Sequence, residues 1–240
     1  TQRTLSSYRD RTGWLRWRHE QDAERLEVQI AHSERHTNRT GALDRPGNVT
    51  GQVRDDRKVD STQLRLAWER SGEVRGLAAG LEFNRHEADY DYASAAAFDS
   101  DLAALFGRAT QFQRVAVLQA RGTTAAAWVS SSWALAPRWR ANLGARLDAQ
   151  RHEIGGATVF DDRQWSPRAA LEFRPRDSTT LRLSLGQVAQ TERPDELLVA
   201  DGEPVFHAAQ RATQAVLGLE QQLGSLGTLR LEAYRKNIDR

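Results

Sequence analysis

The chain has 240 residues, 39% of them apolar, enough to bury a core or to line one large closed sheet. Its 34 Lys and Arg residues face 32 Asp and Glu, a net charge of +2 with both signs interspersed, so there is no basic stripe for a nucleic acid. Cysteine is absent, which excludes disulfides, thiolate metal sites and cysteine nucleophiles together. Methionine is absent too, position 1 included, and no signal peptide is visible; the expectation is a chain that starts after a processing site or a segment of something longer. No apolar run approaches the roughly 18 residues of a transmembrane helix. That excludes a helical inner-membrane protein but not a membrane barrel, whose strands hide apolar residues at every second position.

In chain order, residues 12–20 are strand-like and rich in tryptophan, without clean alternation. Strict alternation begins in 24–34, where Leu26, Val28 and Ile30 oppose Glu27 and Gln29. It continues in 62–69 with Leu64, Leu66 and Trp68, and in 75–87 with Leu77, Ala79, Leu81 and Phe83. Asp99 to Gly107 reads as a short helix: Asp99 caps it, Leu102, Leu105 and Phe106 share a face, and Gly107 stops it. Residues 124–135 are again strand-like. Trp139 to Leu147 then alternates with Arg140, Asn142, Gly144, Arg146 and Asp148. Ala169, Leu171 and Phe173 follow, then Leu181, Leu183 and Leu185, then Leu217 and Leu219, and finally Leu229 and Leu231.

Short turns fall near Gln21–Ala23, Ser71–Gly72, Ala136–Pro137, Pro175–Ser178 and Gly224–Gly227, and long polar stretches cover 35–59, 88–112, 150–163 and 187–212. Short and long connections alternate throughout. This predicts an all-β, antiparallel, up-and-down transmembrane β-barrel segment of about ten strands, each roughly nine to eleven residues, with short periplasmic turns and long extracellular loops. Arg140, Arg146, Arg182 and Glu220 would line a polar lumen, while Trp68, Trp133, Trp139 and Phe173 sit near the short turns, where an interfacial girdle belongs. A soluble sandwich also alternates, but has no reason to put every long loop at one end. The final residues, Lys236 to Arg240, lack the aromatic expected of a closing strand, so part of a larger barrel is predicted.

Several stretches resemble TonB-dependent receptors, specifically the C-terminal part of their barrel domain. Trp133-Ala134-Leu135-Ala136-Pro137-Arg138-Trp139-Arg140, followed by Gly144-Ala145-Arg146-Leu147-Asp148, resembles a hairpin of that family that turns at proline and returns through Gly-x-Arg-x-Asp. Trp165-Ser166-Pro167-Arg168 with Leu171 to Pro175, and Thr179 to Gly186, are similar to its next two strands. Arg193-Pro194-Asp195-Glu196-Leu197 sits where the family carries an Arg-x-Pro…Glu-Leu segment, and Gly218 to Glu220 with Leu229 to Asp239 resemble the succeeding hairpin. The likeness is ordered from about 124 to 240. It implies an outer-membrane receptor of a Gram-negative bacterium that takes up a scarce nutrient such as a ferric siderophore or another metal chelate. The implied partners are outer-membrane lipid, a plug and further strands absent from this sequence, and the periplasmic TonB energy-coupling protein.

No catalytic constellation stands out: there is no phosphate-cradling glycine loop and no Gly-x-Ser-x-Gly elbow, and no cofactor is expected. His86 with Asp89 and His152 with Asp161 are the pairs to weigh for an outer-membrane barrel enzyme; solvated loop charges explain them equally. His32, His36, His86, His152 and His207 all fall toward the long connections, as metal ligands or as hydrated loop histidines. Asp89-Tyr90-Asp91-Tyr92 offers alternating carboxylates and phenols, suited to a ferric chelate or sugar, or else to the outer aromatic girdle. Arg193 and Glu196 are the remaining ligand candidates, with a rim salt bridge as the plainer reading. The competing functions are a small self-contained pore or binding module and, third, the barrel enzyme.

Overall fold

A strand with one apolar and one polar face gains nothing alone; it needs neighbours on both edges for its backbone and a medium for its apolar side. In the computed structural model, which describes residues 1–105, 107 and 109–239, ten strands satisfy this by pairing strictly in sequence order, every pair antiparallel. They are β1 (Gln2–Gln21), β2 (Glu24–Arg45), β3 (Val49–Arg70), β4 (Arg75–Phe98), β5 (Gln111–Ala136), β6 (Trp139–Ile154), β7 (Ala157–Arg176), β8 (Thr179–Gln190), β9 (Gln210–Gln222) and β10 (Thr228–Asp239). The sheet is open, with β1 and β10 as its edges. Among the described residues the self-closing alternative is therefore not realised.

Register turns sequence periodicity into two faces. Trp139 pairs with Phe173, Leu143 with Ala169 and Leu147 with Trp165, so the apolar sets of β6 and β7 share one side. Leu171–Leu183 and Leu183–Leu217 extend the same band across β8 and β9. These side chains stay largely uncovered, Leu143 at 50% and Trp165 at 59% exposure, as a lipid-facing surface requires. Near the short turns Trp139 stacks on Phe173 with centroids 4.2 Å apart, in the girdle position.

The opposite face is polar and carries its charges in pairs. Arg18 bonds Glu27 at 3.0 Å, Arg146 reaches Glu82 at 2.8 Å and Asp148 at 2.9 Å, Arg182 holds Glu172 at 3.0 Å, and Arg230 holds Glu220 at 2.7 Å. Each pair joins strands one or two apart or successive inward residues of one strand, so lumenal charges face partners of opposite sign. Gly80 on this face leaves room for Trp128, because a Cβ there would come within 2.6 Å of the indole.

Two expectations need correction. The strands run from 12 to 26 residues, not nine to eleven. The long polar stretches are mostly strand: 35–45 and 49–59, 88–98, and 150–154 with 157–163 continue the sheet. At about 3.3 Å per residue, the 26 residues of β5 span roughly 85 Å, far more than an apolar band about 25 Å tall. Above the band both faces meet water, so the period-two signal fades while the backbone ladder persists. Tight turns close these extensions: Gly155 and Gly156 have φ of 59° and 85°, the type I′ geometry of a two-residue hairpin. The predicted helix is α1 (Ser100–Leu105), capped by the Asp99 carboxylate accepting the Asp101 N–H at 3.0 Å. Of its predicted face, Leu105 is exposed and Phe106 lies outside the described residues.

The face assignment is testable. In the full-length protein reconstituted in vesicles, Leu143→Arg places a charge in the middle of the apolar face and is expected to cost about 2–4 kcal/mol of unfolding free energy in urea. Asn142→Arg, one residue away on the polar face, is expected to cost less than about 1 kcal/mol.

Candidate functional site

The connection 191–209, between β8 and β9, turns inward. It lies on the polar side of β3–β5 above the apolar band, and alternation explains why a seat exists there. On β4 the parity that sends Leu77 and Phe83 outward sends His86, Ala88, Tyr90 and Tyr92 inward. Ala88 on β4 and Ala120 on β5 are fully buried, and with Gly122 they make a floor without bulk. Leu197 and Val199 pack on this floor with Val59, Tyr90 and Tyr92. Burying those two side chains is worth about 1.5–3 kcal/mol each.

Polar anchors fix the segment. The Tyr90 hydroxyl donates to the Pro194 carbonyl at 2.6 Å, and Arg57 Nη1 donates to the Asp195 carbonyl at 3.1 Å while its guanidinium lies 4.6 Å over the Tyr90 ring. Burial pushes the Tyr90 phenol up to about 12, with Arg57 opposing, so it is a donor at any physiological pH. Pro194 opens a single 3₁₀ turn, Pro194–Glu196, where the Glu196 carboxylate accepts the Arg193 N–H at 2.9 Å. Arg114 donates to the Ala200 carbonyl farther along.

A charged row crosses the lumen beside this seat. Tyr8 donates to Asp10 at 2.7 Å, Arg35 reaches Asp10 at 3.5 Å and Asp195 at 3.9 Å, and Arg193 joins Asp195 at 3.5 Å and Glu196 at 3.2 Å. Asp195 is largely covered, whereas the Arg193 side chain is 52% exposed. The row therefore presents a half-free guanidinium, held by two carboxylates, to the lumen.

The family model described as "TonB dependent receptor-like, beta-barrel" matches residues 1–240. The chain belongs to the TonB-dependent receptor family. Its fold is similar to the siderophore receptor PiuA from Acinetobacter baumannii, at 10% identity and TM-score 0.65 over 97% of this chain and 40% of that one. It is also similar to the ferric citrate transporter FecA, at 13% identity and TM-score 0.65 over 97% and 35%, and to the copper transporter OprC, at 18% and 0.68 over 97% and 39%. The chain thus spans about two-fifths of the length of these structures. No curated sequence matches it.

In this receptor barrel the sequence candidates separate by face. Tyr90, Tyr92, His86, His152, Arg193 and Glu196 come to the lumenal side at the mouth, with Tyr90 and Tyr92 buried in packing rather than presented. Asp89 and Asp91 point outward, Asp89 accepting from Gln119 at 3.0 Å and Asp91 bound to Arg54 at 2.6 Å. His86 and Asp89 thus lie on opposite faces, and the Asp161 rung pairs with Arg151 while His152 pairs with Phe160; neither enzyme pair forms. His32 and His36 are on the outer face, His36 bound to Asp56 at 3.0 Å. His207 bonds Glu192 through its backbone N–H at 2.8 Å and approaches it through Nδ1 at 3.4 Å. Sequence reasoning missed Tyr8, Asp10, Arg35 and Arg57, whose inward parity is legible only with the strands extended upward, and Asp195, which the 3₁₀ turn rather than a strand brings to them.

His152 is the most constrained group at the mouth. The unbroken parity of β6 turns it inward with Arg146, Asp148 and Gln150, and its ring stacks on Phe206 at 4.2 Å with Phe160 beyond. It is 1% exposed, and among the described residues neither ring nitrogen has a hydrogen-bond partner. Burial lowers its pKa, with Glu192 opposing and His86 assisting; burial likewise lowers His86, where Asp195 and Glu196 oppose and Arg193 assists. A base whose folded pKa lies below its ordinary value favours the closed state above about pH 6.5 and loses that contribution as pH falls through the depressed value.

Three outcomes follow for segment 191–209, read by the mobility of a nitroxide on Ala200→Cys in the full-length receptor. Acidification below about pH 6 is expected to loosen the segment, and His152→Phe to keep it seated while weakening that response to the part that His86 supplies. Gly122→Val is expected to unseat it at every pH, since a Cβ there meets His152 Nδ1 and Pro194 Cγ at 2.8 Å.

Proposed function

We propose that this chain is part of the barrel wall and lumenal mouth of an outer-membrane importer that captures an anionic metal chelate, such as a ferric siderophore, from outside a Gram-negative cell. The observation that carries this is the half-free Arg193 guanidinium beside Glu196, set in the charged row Asp10–Arg35–Asp195 at the end of the lumen away from the short turns. A guanidinium held by carboxylates keeps a fixed fork of donors for the carboxylate, catecholate or hydroxamate oxygens of such a ligand. Glu196 adds acceptor capacity for its neutral donors, and the Tyr8 oxygen, whose proton goes to Asp10, can accept one more hydrogen bond. Tyr90 and Arg57 position the segment rather than touch the ligand.

Support comes from the proteins that share the fold, among them a siderophore receptor, a ferric citrate transporter and a copper transporter. The open edges β1 and β10 expose unpaired backbone that lipid cannot satisfy, so the working molecule includes further strands. A plug within the lumen and the periplasmic TonB protein complete the machine in this reading. Asp89 and Asp91 have no part in it.

The test uses the full-length receptor in cells lacking other ferric importers, supplied with labelled ferric citrate, a ferric tricatecholate or the ferric complex of a trihydroxamate that carries a free carboxylate, all three anionic. Energy-dependent uptake of at least one is expected, with Arg193→Ala weakening binding of that chelate about tenfold or more and Asp91→Asn leaving it unchanged. Uptake that ignores Arg193 and Glu196 replacements would remove this site from the mechanism, and uptake of none of the three would remove the substrate class.

A further inference from the structure

The outer face holds a group that import does not use. His32, Glu34 and Asp60 each offer one ligand atom, and the three atoms lie within 4.8 Å of one another. We propose that these residues form a site for a first-row divalent metal ion of the zinc class, on the outside of the barrel just above its apolar band.

The position follows from the register. Leu26, Val28 and Ile30 on β2, paired with Trp68, Leu66 and Leu64 on β3, form the lipid-facing rungs. His32–Thr62 is the next outward rung and Glu34–Asp60 the one above it. The metal would therefore sit on rigid, hydrogen-bonded strands rather than on a loop.

Electrostatics gives the first reason for a cation. Glu34 and Asp60 are directly opposed across the two strands, an arrangement of like charges that destabilises a sheet. Among the described residues neither carboxylate forms an ion pair with Lys or Arg, although Arg9, Arg11 and Lys58 line the same groove. Among the described residues Glu34 has His32 as its partner, with Nε2 3.7 Å from Glu34 Oε1. A metal ion between them converts repulsion into a cross-strand clamp.

The second reason is the orientation of the imidazole. His32 Nδ1 is 3.1 Å from the Thr62 hydroxyl. In the tautomer where Nδ1 carries the proton and donates to Thr62, the lone pair is on Nε2, the nitrogen beside Glu34. A hydrogen bond from the far ring nitrogen is the usual way a protein aims a metal-binding histidine. One imidazole and two carboxylates suit zinc and its first-row neighbours better than calcium, which prefers six or more oxygens. The remaining coordination positions face solvent. His36, two rungs above His32 and engaged by Asp56, is outside the group.

The test is differential, so other metal sites in the full-length receptor do not confuse it. Purified receptor is stripped with chelator and titrated with Zn²⁺, then with Co²⁺ for its visible absorption. The wild type is expected to bind one equivalent more than His32→Ala or Asp60→Asn, or to bind it at least about tenfold tighter, with His36→Ala as the unchanged control. Zn²⁺ is expected to raise the melting temperature of the wild type more than that of either variant. Without metal, Glu34→Gln/Asp60→Asn should be no less stable than the wild type, because the repulsion is gone, and heat-modifiable gel mobility verifies that each variant folds. Equal stoichiometry, affinity and Co²⁺ spectra in the wild type and His32→Ala would overturn the site.

Discussion

Backbone hydrogen bonding in a medium without water is the constraint from which the rest of this structure follows. In hydrocarbon every N–H and C=O must be met by protein, so the strands pair continuously. Continuous pairing fixes the register, and the register fixes which side chains face lipid and which face the lumen. A one-residue slip in β6 would send Arg140 and Arg146 into lipid and Leu143 into the lumen. The ion pairs Arg146–Glu82 and Arg182–Glu172 thus report the register as much as they stabilise it. Their value lies in avoiding unpaired charge, since each group alone would be costly at that depth.

The same parity, carried above the band, builds the mouth. Tyr90 and His86 are inward because Leu81 and Phe83 are outward, and the small residues Ala88, Ala120 and Gly122 leave a depression that 191–209 fills. That segment is held by a few directional contacts and a modest apolar patch rather than by a ladder. Segments held in this way open at lower free energy than a continuous ladder does. His152 adds a dependence on protonation to the same seat, being buried without a partner against Phe206.

How much of this was legible depends on where water is. Within the band the sequence reads plainly: Trp139 to Leu147 and Leu181 to Leu185 alternate because one side is lipid and the other lumen, and such runs mark every strand but β1 and β5, where 12–20 and 124–135 are strand-like without clean alternation. Above the band Arg54, Asp56 and Lys58 face water outward, and Asp55 and Arg57 face a wet lumen inward, so polarity no longer alternates and 35–59 reads as loop. Gly155-Gly156 was a usable hairpin signal at the far end of β6, and recognising it would have extended that strand correctly. The inward fold of 191–209 had no such signal. It depends on a floor assembled from β3, β4 and β5, whose shape is set by long-range pairing.

The division of the histidines by face bears on what the protein can do with metals. His86 and His152 are lumenal, yet burial disfavours their charge, and packing occupies the surroundings of His152. Their place is in seating a segment, and the cargo is better met by the cationic Arg193 than by an imidazole. His32 has the opposite surroundings: exposed, aimed by Thr62, and facing two carboxylates that lack basic partners. A chelate that arrives already wrapped around its metal needs charge and hydrogen bonds, not ligands. In the proposed reading a bare ion finds its ligands on the outer face, away from the path of the chelate, and strict alternation along β2 and β4 is what puts the two on opposite sides of the sheet.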